Sequence, residues 1–240
     1  MLQKVRSILF YILYAPLTIM FGLLSILLIL LPKSWSAAAI VYWNPVALFL
    51  LRVCCDIRYE VKGNVENITT PCVVVANHQC PWETLFLQWY FRPVSAVLKK
   101  QLLSIPFFGW GLKMTQPIGI DRNHPTQAIK QIKSLGIERL KSGRHVLIFP
   151  EGTRMEPDKL GNYMRSAADV AKQANVPLIP VAHNAGRFWL NKKFIKNPGV
   201  IQVIVGEPID LSDKNTKAVM KEVHAWTQQQ MDLMADNEQS

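Results

Sequence analysis

The apolar residues of this chain change their spacing near residue 52. From Ser7 to Pro32 no charged residue occurs, and such a run is long enough to cross a hydrocarbon core of about 30 Å as a helix. A second uncharged stretch, Ser34 to Leu51, follows the lone charge of Lys33 and is interrupted by Asn44 and Pro45. By pattern alone it spans, or it dips in and returns. No small-residue cleavage site follows a short apolar region, so the first run reads as a retained anchor and not as a removed signal. Residues 1–52 are therefore expected to be membrane-anchoring helical segments, and 53–240 a globular domain.

Beyond Arg52 the patterning is that of a globular protein. Cys55–Gly63 alternates polar and apolar residues as a half-buried strand does, and Asn64–Thr70 is a polar connection. Cys72–Asn77 is a β-branched run suited to a strand buried on both faces. Pro81 fits the first position of a helix that continues through WETLFLQWYF. Val94–Lys100 and Ile118–Asp121 read as strands, and the segment from His124 to Gly143 as a helix with Ala128, Ile129, Ile132 and Leu135 at helical spacing. HVLIFPEGTR is strand then loop, Ser166–Asn175 helix, and VPLIPVAH a strand whose prolines suit a sheet edge or an irregular end. VIQVIVGEPI is a further strand, and Thr216–Met234 a closing helix. Alternation of this kind predicts an α/β fold with a mostly parallel central sheet flanked by helices, carried on an N-terminal two-helix membrane motif.

Charge narrows the partners. The formal net charge is +10, which favours an anionic surface, and beside an apolar anchor that surface is lipid headgroup. The Lys and Arg residues form no recognition helix, so nucleic acid is not an expected partner. Basic residues flank the two apolar stretches on both sides, as a pair that enters and returns would have on the cytoplasmic face. The expected location is thus a membrane, with the domain facing the cytoplasm. Cys54, Cys55, Cys72 and Cys80 lack paired metal-ligand spacing, so reduced thiols and no metal site are expected.

Three polar clusters follow strands, where α/β sheets collect ligands. In Asn77–Glu83, His78 and Glu83 lie five apart, about 140° on a continuous helix, and cannot pair that way. With His78 in a turn, Cys80 near the cap and Pro81 opening the helix, Glu83 falls in the first turn and reaches back to the imidazole. That suits a general base whose carboxylate fixes the tautomer. The plainer reading is a capping Glu and a hydrogen-bonded turn His. Gly119–Arg122 and Phe149–Arg154 are the other two. Arg122 and Arg154 can each fork onto a phosphate, or pair on the surface with Asp121 or Glu156, and Gly152 permits close backbone approach. A basic aromatic segment, Arg187–Lys196, could rest on headgroups or receive an acidic carrier protein; otherwise it is a solvated loop with Trp189 and Phe194 in the core.

Taken in order with Val176–Val181, these clusters resemble the four sequence blocks of the 1-acylglycerol-3-phosphate acyltransferase family, from about Cys72 to Pro180, with FPEGTR the most discriminating. The two N-terminal apolar segments also resemble the helical membrane motif of bacterial members. The resemblance implies an acyltransferase that moves a fatty acyl group from coenzyme A or acyl carrier protein to the free hydroxyl of 1-acylglycerol-3-phosphate, giving phosphatidic acid in phospholipid biosynthesis. The thioester is a co-substrate, and no further cofactor is implied. It makes His78 the base and Glu83 its orienting acid, and assigns glycerol phosphate binding to Arg122, Glu151, Gly152, Thr153 and Arg154, with Gly119 shaping a turn. The chain departs from the family pattern at Glu83, usually Asp, and at Cys80, frequently Ser. An acyl-enzyme on Cys80 is chemically conceivable, whereas the resemblance implies direct attack by the acceptor hydroxyl. In such an attack, backbone N–H groups near the helix start are expected to hold the oxyanion. Other readings are transfer to another lysolipid, such as a lyso-ornithine lipid or a lysophospholipid, a thioesterase or lipid hydrolase, and a non-catalytic lipid-binding protein.

Overall fold

The structure is a computed structural model that describes residues 1–63, 68 and 70–237. Most of the connection expected over Asn64–Thr70 lies outside the described residues. Seven strands form one sheet: β1 (Ile57–Lys62), β2 (Val73–Ala76), β3 (Val94–Lys99), β4 (Ile118–Ile120), β5 (His145–Ile148), β6 (Leu178–His183) and β7 (Gly199–Val205). Their spatial order is β1-β7-β6-β2-β5-β3-β4, and every neighbouring pair is parallel except β6 and β7. The mostly parallel α/β sheet expected from the pattern is present.

Helices cover both faces, which explains why β2 reads as an unbroken apolar run. Val74 and Ala76 join one core with Trp82 and Phe86 of α4 (Pro81–Tyr90) and with residues of α1 (Leu2–Leu28) and α3 (Trp43–Cys55). Val73 and Val75 join the other, built with α6 (Pro125–Lys141), α7 (Ser166–Ala174) and α8 (Thr216–Asn237). Each large apolar side chain taken from water there contributes roughly 1.5–3 kcal/mol.

The second uncharged stretch breaks at Val41–Tyr42 into α2 (Lys33–Ile40) and α3. Pro45 sits in the first turn of α3, where its missing N–H costs no helical bond. Helix α3 runs through residue 52 without interruption, and Phe10, Leu48 and Leu51 share a core with Val74 and Ile179. The anchor and the domain therefore have one hydrophobic core in common. At the hairpin tip Ser36 Oγ donates to Leu28 O at 2.6 Å, and at its base Cys55 Sγ meets Arg6 O at 3.8 Å. Both ends of the hairpin thus lie together.

Helix α1 is inside-out for water. It buries Ser7, Gly22 and Ser25 along with Phe10 and Leu28, while Ile8, Leu9, Ile12, Leu23, Leu24 and Leu27 are exposed. An apolar surface of this extent fits lipid, and both α1 and the Lys33–Cys55 stretch are long and apolar enough to cross a membrane.

Two details depart from the sequence pattern. Strand β6 is interior despite its prolines. Pro180 O accepts the N–H of Gly206 at 2.9 Å, just beyond the Val181–Val205 pair; its missing N–H faces the same strand, so the return bond is absent and the β6–β7 ladder stops there. Gly119 lies mid-strand in β4, paired with Leu98, and shapes no turn. A Cβ there would meet Leu103 Cδ1 at 3.0 Å, so its smallness serves the packing of the 3-10 turn Lys100–Ser104. Helix α5 (Phe108–Met114) packs against that turn and against α1.

Candidate active site

Strands β2, β5, β3 and β4 are adjacent and parallel, so their carboxyl ends open on one side. The polar clusters follow β2, β4 and β5, which gathers them along one rim of the sheet. His78 stands two residues past β2. Its ring stacks on Phe149 with centroids 4.3 Å apart, its peptide N–H donates to Glu151 Oε1 at 3.0 Å, and its carbonyl accepts the N–H of Met155 at 2.7 Å. The loop after β5 thus grips both the ring and the backbone of His78.

Helix α4 supplies the other half. Cys80 is its N-cap, Pro81 its first residue and Glu83 its third, in a capping box where Cys80 and Glu83 satisfy each other's backbone N–H. The turn then lets Glu83 Oε1 accept from His78 Nδ1 at 2.8 Å, from Gln79 N–H at 2.9 Å and from Cys80 N–H at 2.8 Å. Oε2 accepts from the Cys80 thiol at 3.0 Å. Burial would push this carboxyl up, but the hydrogen bonds, His78 first, outweigh it and hold it well below the usual carboxylate range. With Nδ1–H committed to Glu83, Nε2 of His78 is the basic nitrogen, and it has no partner among the described residues. The His78 side chain keeps 11% of its exposure, so the ring is not sealed from the surface.

The thiol of Cys80 is fully buried, and burial together with the neighbouring carboxylate raises its pKa strongly. As donor to Glu83 it is a poor nucleophile. The N–H groups at the helix start are likewise occupied: those of Gln79 and Cys80 by Glu83, and that of Glu83 by Cys80. They are not free for the oxyanion role expected of them.

Arg122 follows β4 and Arg154 follows β5. Burial and then the charge of Arg154 depress the pKa of Arg122, which places the two guanidiniums within electrostatic reach. Neither makes an ion pair among the described residues: Asp121 accepts the N–H of Asn123, and Glu156 pairs with Lys159. Two neighbouring guanidiniums without an ion-pair partner among the described residues have the chemistry to take an anion. Thr153 beside them is exposed, and Gly152 adopts φ +67° where the loop turns back with Gly152 N–H on Phe149 O.

Glu151 is placed differently from its expected phosphate-binding part. Oε1 holds the His78 N–H and Oε2 the Gly161 N–H at 3.3 Å, so its carboxylate braces the base and is committed to the protein. Burial pushes its pKa up to about 7, against those two bonds and with help from the charge of Glu83. The sequence reading also missed the latch behind His78. Asn77 Nδ2 donates to His183 O at 2.9 Å and Asn77 Oδ1 accepts His183 N–H at 3.1 Å, while His183 Nε2–H meets Asn77 O at 2.8 Å. His183 ends β6, the strand-end position that flags the other clusters, and burial depresses its pKa.

The basic segment 187–196 is split. Arg187 binds Asp158 at 2.7 Å, Lys192 and Lys193 are exposed, and Lys196 is buried. Its Nζ donates to Tyr11 Oη and Phe194 O, both at 2.7 Å, and faces the Tyr11 and Trp189 rings. Lys196 therefore tethers α1 and is withdrawn from any headgroup or carrier. Trp189 is buried and Phe194 exposed. The four cysteines are free thiols.

A family model described as Acyltransferase matches residues 57–184. The chain is 40% identical over 235 residues, 95% of its own length and 91% of the other, to the 1-acyl-sn-glycerol-3-phosphate acyltransferase of Pseudomonas aeruginosa. A chloroplastic protein of the same name from Arabidopsis thaliana is 30% identical over 155 residues, 64% of this chain and 43% of that one. In fold the chain is similar to the crystal structure of the 1-acyl-sn-glycerophosphate acyltransferase of Thermotoga maritima, with a TM-score of 0.78 at 20% identity, covering 96% of this chain and 95% of that one.

Proposed function

The chain belongs to the Acyltransferase family, and on that premise we propose that it acylates 1-acylglycerol-3-phosphate to phosphatidic acid, using a thioester of coenzyme A or of acyl carrier protein. The observation that carries this reading is the pairing on one sheet rim of a braced imidazole with an open Nε2 and two uncompensated guanidiniums. Arg122 and Arg154 hold the phosphate of the lysolipid and turn its free hydroxyl toward His78. Nε2 takes the hydroxyl proton as the oxygen attacks the thioester carbonyl, and Glu83 stabilises the imidazolium. The C–S bond then breaks, and the departing thiolate recovers the proton from His78. The step moves one proton and one acyl group.

The exposed apolar face of α1 supports a membrane location, where the acceptor already resides. The basic residues flanking the hairpin and the free cysteines support a domain on the cytoplasmic side of a bacterial inner membrane.

The test is an assay of the purified full chain in detergent with a panel of lysolipids and both donors. His78→Ala, folded by circular dichroism, should lose about 10²- to 10⁴-fold in transfer. Arg154→Ala should raise KM for 1-acylglycerol-3-phosphate. Normal transfer by the folded His78 variant removes the mechanism, indifference of Arg154 to the phosphate removes the acceptor, and fatty acid released equally with and without lysolipid makes the protein a hydrolase.

A further inference from the structure

The contacts that brace His78 continue into a second hollow. Glu151 holds the N–H groups of both His78 and Gly161, and Gly161 O faces His224 Nε2 at 3.1 Å. Beyond that chain of contacts, the segment after the FPEGTR loop and the first turns of α8 bound an open cleft of about 540 Å³. Asn162, Tyr163, Arg165, Lys217, Lys221 and His224 line it, and no carboxylate is among the lining residues. The volume falls within the roughly 300–1,000 Å³ of small-ligand sites.

The positive charge there comes from side chains. Lys217, Lys221 and His224 stand at i, i+4 and i+7, so one stripe of α8 presents all three. The helix-start N–H groups of Lys217 and Ala218 are taken by Asn215 Oδ1. Arg165 lies 3.6 Å from Asp169 and remains 70% exposed, while Asp169 has its closer partner in Lys133 at 2.8 Å. Helix α8 packs over β6, on the opposite side of β2 from β5, β3 and β4. The α8 wall of the cleft thus lies toward β6, whereas Arg122 and Arg154 follow β4 and β5.

Resting on the acyl-transfer reading above, we propose that this cleft receives the phosphate-bearing end of the thioester donor. Both donor types carry the acyl sulfur on a phosphopantetheine arm, whose phosphate sits at the far end of a long flexible chain. An enzyme that brings two anionic substrates to one base needs two separated cationic sites, because like charges on a shared site repel. The arginine pair serves the acceptor, and the α8 stripe serves the donor. In coenzyme A the anion is the nucleotide diphosphate with its ribose phosphate; in the carrier protein it is the phosphodiester.

The test uses the full chain in detergent micelles and the double variant Lys217→Glu, Lys221→Glu, whose side chains are on the surface. With acyl-coenzyme A and acyl carrier protein in separate arms, KM for the donor should rise about tenfold or more, with KM for 1-acylglycerol-3-phosphate unchanged and recovery in Lys217→Arg, Lys221→Arg. A rise confined to one arm supports the proposal and identifies the source of the phosphate. Calorimetric titration with unacylated coenzyme A and with phosphopantetheinylated carrier protein should show the same loss of affinity. Because titration needs no turnover, a wild-type chain that binds these ligands without transferring acyl groups would refute the reaction and spare the cleft. Unchanged donor KM and affinity in both arms, wild-type binding of neither ligand, or a rise in acceptor KM instead overturns the proposal.

Discussion

Two carboxylates flank His78, and they live in opposite electrostatic surroundings. Glu83, fully buried on the α4 side, accepts four hydrogen bonds including one from the imidazole, and its pKa is lowered. Glu151, on the β5 side and less deeply buried, has only two backbone N–H donors and sits at about 7. Burial acts in the same direction on both. The difference shows that the number and kind of donors, more than depth, decide which acid stays ionised beside a base. Glu83 is placed to stabilise an imidazolium, while Glu151 holds the backbone that carries the ring.

The largest effect that would break this contrast is Glu83→Gln. Its amide NH₂ would face donors where a carboxylate had accepted, and the imidazole would lose its orienting charge. We expect kcat to fall about 10²- to 10⁴-fold and thermal stability to drop, as measured by steady-state kinetics and circular dichroism; a variant with normal kcat would deny Glu83 its part.

Glu151→Gln is the next test, and its signature is in pH. The folded protein holds the Glu151 proton up to about 7 against an ordinary 4.5, whereas the unfolded chain releases it earlier. This group therefore makes stability decline as pH rises from 4.5 toward 7. Glu83 has the reverse sign, since its lowered pKa gives stability that is present above the ordinary 4.5 and is lost as pH falls below it. The difference between wild-type and Glu151→Gln melting profiles should thus slope between pH 4.5 and 7 and flatten above. A parallel offset across that window contradicts the assignment. Because Gln still offers one acceptor, kcat should fall only several-fold, about the cost of one weakened hydrogen bond.

The smallest effect concerns Cys80. Cys80→Ser keeps a cap and a donor to Glu83 and should leave kcat within about twofold, whereas Cys80→Ala should cost on the order of 1 kcal/mol in denaturant unfolding. Loss of activity in a folded Cys80→Ser variant would reinstate the thiol as a nucleophile.

Local chemistry made much of this legible. Pro81 and the spacing from Cys80 to Glu83 fix a capped helix start, and a capped start is what turns a five-residue separation into an imidazole–carboxylate pair. The double-sided burial of β2 followed from its unbroken β-branched run. Other features were silent, because they depend on partners far along the chain. Glu151 meets His78 across 73 residues, and Asn77 meets His183 across 106. Lys196 reads as part of a basic surface until α1, 185 residues earlier, supplies the Tyr11 hydroxyl that draws it inward.

The sequence by itself determined the N-terminal apolar stretches long enough to cross a membrane, the alternation that makes a layered α/β sheet, and the pairing of His78 with Glu83. These are set by composition and by intervals of a few residues, which backbone geometry converts directly into shape. Only the tertiary structure decided that β6 is interior, that Glu151 braces His78, and that Asn77 latches to His183. Each of those outcomes depends on which strands become neighbours, and hydrogen bonds between neighbouring strands carry no mark in the local order of residues.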